Sequence, residues 1–200
     1  MEIGPVKNLE LHIAKCTSIA QFAAMRGEWR ELVERSDAGL FSRWEWLYPW
    51  YRRVAPERSL LLLTARDDRG KLVGLMPLCI EARRVLGKTV RRVAFMGETE
   101  VGSECLDIIA HDADRERVSR AFAGWLLNHR TDWDMLDLSD IDSSSPTRAM
   151  LDAIFSAQGY RIEHRDCSVQ PYERWEAAGR PIGDGVRYWL EAERELSQRM

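Results

Sequence analysis

Neither sign of charge is in excess: 29 Lys and Arg stand against 32 Asp and Glu in 200 residues, a formal net charge of -3. Nucleic acids and anionic lipid surfaces draw on a basic excess, so neither is an expected partner. Long apolar runs are missing. Residues 60–63 are leucines, but Arg66 follows soon after, and a bilayer span needs about 20 apolar residues. No membrane span is expected. The opening Met-Glu-Ile-Gly-Pro carries an acid at position 2 and lacks the apolar centre of a secretory leader. Cysteine is sparse, and Cys16, Cys79, Cys105 and Cys167 form no Cys-x-x-Cys. That pattern reads as reduced thiols in a cytoplasmic protein. His164 and Cys167 are three apart on an extended stretch and so face opposite sides, which leaves no metal site to expect. Gly-x-Ser-x-Gly, His-Glu-x-x-His, P-loop and dinucleotide-glycine patterns are absent as well.

What is present is a folding composition, 45% hydrophobic and 30% charged, with eight tryptophans. Leu9, Leu11 and Ile13 alternate with polar residues as in a strand. Ser18 and Gln21 form a capping-box pattern that opens a helix with Phe22, Met25, Trp29, Leu32 and Val33 on its apolar face. Ser42 and Glu45 repeat the pattern before an aromatic helix that Pro49 should kink. Strands 59–65 and 72–80 flank an Asp-Asp-Arg-Gly turn, and Pro77 predicts a bulge or splay in the second. Further strands are expected at 90–95, 105–110, 133–138 and 160–169, and helices at 112–130 and 146–157, the latter behind Ser145-Pro146. The fold class is therefore α/β (α+β), a mixed and mainly antiparallel sheet flanked by helices. A boundary near Gln170-Pro171 separates a domain over 1–170 from a short helical appendage over 171–200.

Three groups of residues invite a functional reading. Trp44, Trp46, Tyr48, Trp50 and Tyr51 crowd one short helix and present aromatic rings on two faces, as core packing or as a substrate groove. Trp29, Trp125 and Trp133 read as core residues. Arg83, Arg84, Lys88, Arg91 and Arg92 surround a turn, as an anion grip or as a solvated hairpin edge. The loop from 98 to 107 gathers Glu98, Glu100, Glu104 and Asp107, any of which has the chemistry of a general base toward an amine. Ser143, Ser144 and Ser145 precede a helix and read as capping residues.

Several of these segments together resemble the CelD-like acyltransferases of cellulose biosynthesis, within the GNAT superfamily. They are Phe41-Ser-Arg-Trp-Glu-Trp-Leu, Leu72-Val-Gly-Leu-Met-Pro-Leu, Phe95-Met-Gly, Leu106-Asp107, and Trp133-Asp-Met-Leu-Asp-Leu followed by Ser145-Pro146. The resemblance covers about residues 8–172 and implies a GNAT-like sheet with acetyl-CoA or another acyl-CoA beside the strand at Leu75, Met76, Pro77 and Leu78. It implies a catalytic carboxylate among Glu98, Glu104 and Asp107, and strand N–H groups freed at Pro77 to polarise the thioester carbonyl. Trp44, Trp46, Tyr48 and Trp50 would line the substrate groove. GNAT enzymes hold the coenzyme A diphosphate on a Gln/Arg-x-x-Gly-x-Gly/Ala loop at a helix N-terminus, and that motif is not found here.

The tail, Tyr172-Glu-Arg-Trp-Glu-Ala-Ala-Gly-Arg-Pro and then Tyr188-Trp-Leu-Glu-Ala-Glu, resembles a short bacterial domain of unknown function. Trp175 and Trp189 would anchor its two helices. The expected function is an acyl-CoA-dependent N-acyltransferase acting on a small-molecule or sugar amine, linked to cellulose or exopolysaccharide production. The alternative is a non-catalytic, GNAT-derived binding or scaffolding module that meets a second copy or a protein partner through its tail and other Trp-rich surfaces.

Overall fold

The computed structural model describes residues 10–85, 87–98, 103, 105–139 and 141–164. The chain divides into a unit over 1–162 and a second over 163–200, and the expected appendage over 171–200 lies outside the described residues. The first unit runs β1 (His12–Cys16), α1 (Ile19–Ala24), α2 (Arg26–Glu34), α3 (Trp44–Arg53), β2 (Ser59–Arg66), β3 (Leu72–Val85), β4 (Lys88–Phe95), β5 (Ile109–Ala110), α4 (Asp112–Asn128), β6 (Met135–Asp137) and α5 (Pro146–Ala157). The strands form one sheet in the order β1-β2-β3-β4-β6, with β5 also on β3. Every pairing is antiparallel except β4 with β6.

Helices cover both faces, which is why β2 reads as uninterrupted leucine rather than alternating apolar and polar residues. Leu61 and Leu63 face one core with Val118, Phe122 and Leu126 of α4 and Leu151 and Phe155 of α5. Leu60 and Leu62 face the other, with Phe22, Trp29, Leu32, Leu47 and Trp50 of the first three helices.

Several expectations change. The predicted first helix is two segments that bend at Met25, though its five apolar residues are all buried as the spacing requires. Ser18 caps it by accepting the Ala20 N–H. Ser42 does not cap α3. Its carbonyl accepts the buried indole N–H of Trp29 at 2.8 Å, so the turn is committed to the core, and Glu45 pairs instead with Arg26. α3 continues through Pro49. The strand expected at 105–110 shortens to β5, which begins at Ile109, and Cys105 itself adopts a left-handed φ of 55°. Residues 161–164 carry no strand, and the remainder of the predicted 160–169 strand lies outside the described residues.

Pro77 behaves in an informative way. It pairs in regular register with Leu62, and the register shift falls at Ala65/Arg66 instead. The N–H and C=O of one strand residue point to the same edge. Because the Pro77 carbonyl accepts the Met96 N–H at 2.9 Å, the missing donor lies on the edge away from β2. That edge is where the neighbour of β3 changes, from β5 at Leu75 to β4 at Leu78. The proline occupies the one gap that needs no donor, so no bulge forms against β2.

Close approach of α4 to β3 depends on Gly74. A Cβ there would lie 2.4 Å from Val118 Cγ1 and 3.2 Å from Ala65 Cβ. Gly74→Ala is expected to cost about 1–3 kcal/mol, since Val118 is fully buried and stiff. Urea denaturation measures this, and adding Val118→Ala should recover part of the loss despite its own cavity cost.

Candidate functional site

β4 and β6 run side by side over Arg92–Ala94 and Met135–Asp137 and then part. β4 leads through residues 96–108 to β5, further along the same edge of β3, while β6 leads to the start of α5. A short hydrogen bond joins the two branches. Ser145, 38 residues beyond Asp107, donates its hydroxyl to Asp107 Oδ2 at 2.6 Å. Asp107 Oδ1 accepts the Ile108 N–H at 2.6 Å. The same Ser145 hydroxyl oxygen accepts the Thr147 N–H at 3.1 Å, so the α5 cap and the carboxylate are one arrangement. Burial pushes the Asp107 carboxyl above its ordinary range, against the opposing pull of Ser145 and the Ile108 N–H. It is the chemistry of a base that binds a proton more readily than a surface aspartate does.

Glu98 stands in a different place. Its side chain is 0% exposed, whereas that of Asp107 is 23% exposed. Arg92 holds Glu98 through two contacts of 2.5 and 2.6 Å, and Arg58 adds a third at 3.4 Å. Arg92 also reaches Asp137 at 2.8 Å, tying β4 to β6 where they run parallel. Trp50 lies 5.5 Å from the Arg58 guanidinium. These contacts anchor the chain at Glu98, just beyond β4, and leave it no solvent face. Cys79 lies in the same region, 1% exposed, and burial pushes its thiol up to about 12, which removes it as a nucleophile.

Sequence reasoning treated the arginines of the β3–β4 hairpin as one group. Arg92 is buried, Arg83 pairs with Glu81 at 2.7 Å, and Arg91 forms a two-pronged pair with Asp134 at 3.0 Å. Strand alternation was the available signal, since Arg92 and Arg91 must face opposite sides.

Leu75, Met76, Pro77 and Leu78 are buried within β3, between β2 and its opposite neighbours. Trp44, Trp46 and Tyr48 are half-buried and Trp50 buried on the α3 side of the sheet. Trp44 stacks on Tyr48 at 4.3 Å and donates to the Phe22 carbonyl, and Trp46 donates to Ser103 at 3.0 Å. Glu104 and Glu100 lie outside the described residues.

β5 passes into α4 through one residue, His111. Its Nδ1 accepts the Ala113 N–H and its carbonyl accepts the Asp114 N–H at 2.8 Å. Asp112 and Asp114 occupy the first turn. Arg115 folds back onto the Ile108 and Ala110 carbonyls at 3.3 and 3.4 Å and pairs with Asp37 and Asp112. Residues of this kind do not fit the diphosphate of an acyl-CoA. Nothing in the spacing signalled Arg115, whose partners are set by tertiary structure.

A cavity of about 330 Å³ lies near the far end of α4, lined by Lys15, Thr17, Tyr51, Leu61, Trp125 and Trp133 among others. Trp125, expected in the core, is half-buried there and stacks on His129 at 3.8 Å. Ten residues of α4, about 15 Å of helix, separate it from Arg115. Among the described residues, no helix is long and apolar enough to cross a membrane.

Comparison with known proteins gives one family model, described as a protein of unknown function (DUF2934), over residues 172–198. No curated protein matches. Similar solved structures include a ribosomal-protein-alanine N-acetyltransferase from Brucella melitensis biovar Abortus 2308, 15% identical with a TM-score of 0.46, covering 80% of this chain and 97% of that one. The aminoglycoside 6'-N-acetyltransferase of Acinetobacter baumannii is 13% identical with a TM-score of 0.42, over 80% and 99% of the two chains. An aminoglycoside acetyltransferase from an uncultured soil sample is 18% identical with a TM-score of 0.45, over 80% and 99%.

Because the folded state binds the Asp107 proton more tightly than the unfolded chain does, ionising it costs stability as pH rises through the raised value. Asp107→Asn keeps an acceptor for Ile108 and removes that slope. The variant should therefore gain stability relative to the parent as pH rises above about 4, the ordinary aspartate value, measured by denaturant unfolding at a series of pH values. A constant difference across that range would contradict the carboxyl's raised position.

Proposed function

We propose that this chain is a GNAT-like N-acyltransferase module whose general base is Asp107. The observation that carries the reading is the Asp107–Ser145 bridge between the parting branches of β4 and β6, where a carboxylate raised by burial still reaches solvent. The residues quoted for the CelD-like resemblance include Asp107 and Ser145-Pro146, the same two branches that meet there.

An acceptor amine bound beside Asp107 would attack the carbonyl carbon of an acyl thioester. The C–N bond forms, the C–S bond breaks, and the proton lost by nitrogen passes to the Asp107 carboxylate and on to the departing thiolate. Ser145 orients Asp107, and as the α5 cap it is itself held in place. Glu98 serves the site by fixing the loop that ends at Asp107. The CelD-like resemblance directs the acceptor to an amino sugar of extracellular polysaccharide production.

A second reading, a non-catalytic binding module, is favoured by the carboxylates at the start of α4. Thiol release separates the two. The purified chain is incubated with acetyl-CoA or S-acetyl-N-acetylcysteamine and a panel of primary amines headed by glucosamine. Amine-dependent release of free thiol is expected, and Asp107→Asn should lower it by about 10²–10⁴-fold. No release from either thioester, or equal release by Asp107→Asn, would overturn the acyltransferase reading.

A further inference from the structure

The strands that would flank a thioester end at α4, so the charge there decides what the distal part of the donor meets. Around the Arg115 guanidinium lie the carboxylates of Asp37, of Asp112 at 3.3 Å and of Asp107 at 4.0 Å. Asp114 adds another in the first turn, paired with Arg117 at 2.7 Å. One cation faces three carboxylates before any ligand arrives. The positive end of the α4 dipole is likewise taken up by Asp112 and Asp114, and the Ala113 and Asp114 N–H groups already bond to His111. Among the described residues, a diphosphate placed here would meet net negative charge and few open donors. Arg115 cannot turn to it without abandoning the Ile108 and Ala110 carbonyls.

We infer that the acyl donor is recognised by its thioester arm alone, and that a nucleotide diphosphate contributes nothing to its binding. The donor class is an acyl thioester of a small or pantetheine-type thiol. The inference rests on the acyltransferase reading. It also explains how a chain without a glycine-rich diphosphate loop would keep a base poised at the strand divergence.

The experiment compares acetyl-CoA, S-acetylpantetheine and S-acetyl-N-acetylcysteamine as donors to glucosamine, with the full 200-residue chain. kcat/KM for acetyl-CoA and S-acetylpantetheine should agree within about threefold, because the diphosphate adds no more than a weakly screened surface charge would. Calorimetric titration with ADP, which carries the nucleotide diphosphate and gives a readout independent of turnover, should give no heat. Asp112→Asn combined with Asp114→Asn should raise preference for acetyl-CoA by about three- to tenfold, by returning the helix N-terminus to an incoming anion. An acetyl-CoA advantage of tenfold or more in the parent chain, or saturable ADP binding, would overturn the inference and leave the acyltransferase standing. Absence of thiol release from all three donors would overturn the acyltransferase and the inference with it.

Discussion

Both edges of β3 are occupied, and much of the molecule follows from how that is done. β2 runs along one edge without a break at Pro77, while β5 and β4 share the other in succession. Along Leu75–Leu78 all the side chains are buried as well. Asp107 stands beyond the paired stretch of β4 and β6, held to Ser145 at the start of α5. Gly74 lets α4 press onto the same strand, so a missing side chain and a missing N–H, two positions from Leu75 at most, organise both the core and the site.

Electrostatics then assigns different tasks to carboxylates that look alike. Glu98 is paired twice over and sealed, a device that ties loop to strand. Breaking such a pair is costly because the remaining charge stays buried. Asp107 has a hydroxyl and an N–H as its close partners, with the Arg115 guanidinium only at 4.0 Å, and keeps a solvent face. Burial raises both carboxyls, that of Glu98 against two guanidinium groups and that of Asp107 against a hydroxyl and an N–H, so what separates them is that Asp107 alone of the two reaches solvent. The distinction between them is one of environment alone.

Much of the architecture was legible in the chain. The apolar residues at helical spacing from Phe22 to Val33 are all buried, and Ser145-Pro146 starts α5 as a cap should. The hairpin of β2 and β3 stands where the turn residues put it. The failures have a common origin. Ser42 carried a capping pattern, but a buried indole N–H 13 residues away required its carbonyl. Pro77 carried a bulge-or-splay pattern, and the sheet sets it in regular register with β2 at a change of neighbour on the other edge. In each, a local preference worth about 1 kcal/mol yielded to a buried polar group that had to be satisfied or to a pairing already complete.

Composition and pattern alone determined a mixed, mainly antiparallel sheet covered on two faces, the positions of most helices, and a short set of carboxylates from which a base would come. Those properties depend on residues within a few positions of one another, through periodicity, capping and turn chemistry. The tertiary structure decided which carboxylate keeps a free face, which arginines are spent in the interior, and what charge greets a ligand at α4. Glu98 meets Arg58 across 40 residues, Asp107 meets Ser145 across 38, and Arg115 meets Asp37 across 78. Partners that far apart are chosen by packing of the sheet and its helices, and no local rule names them.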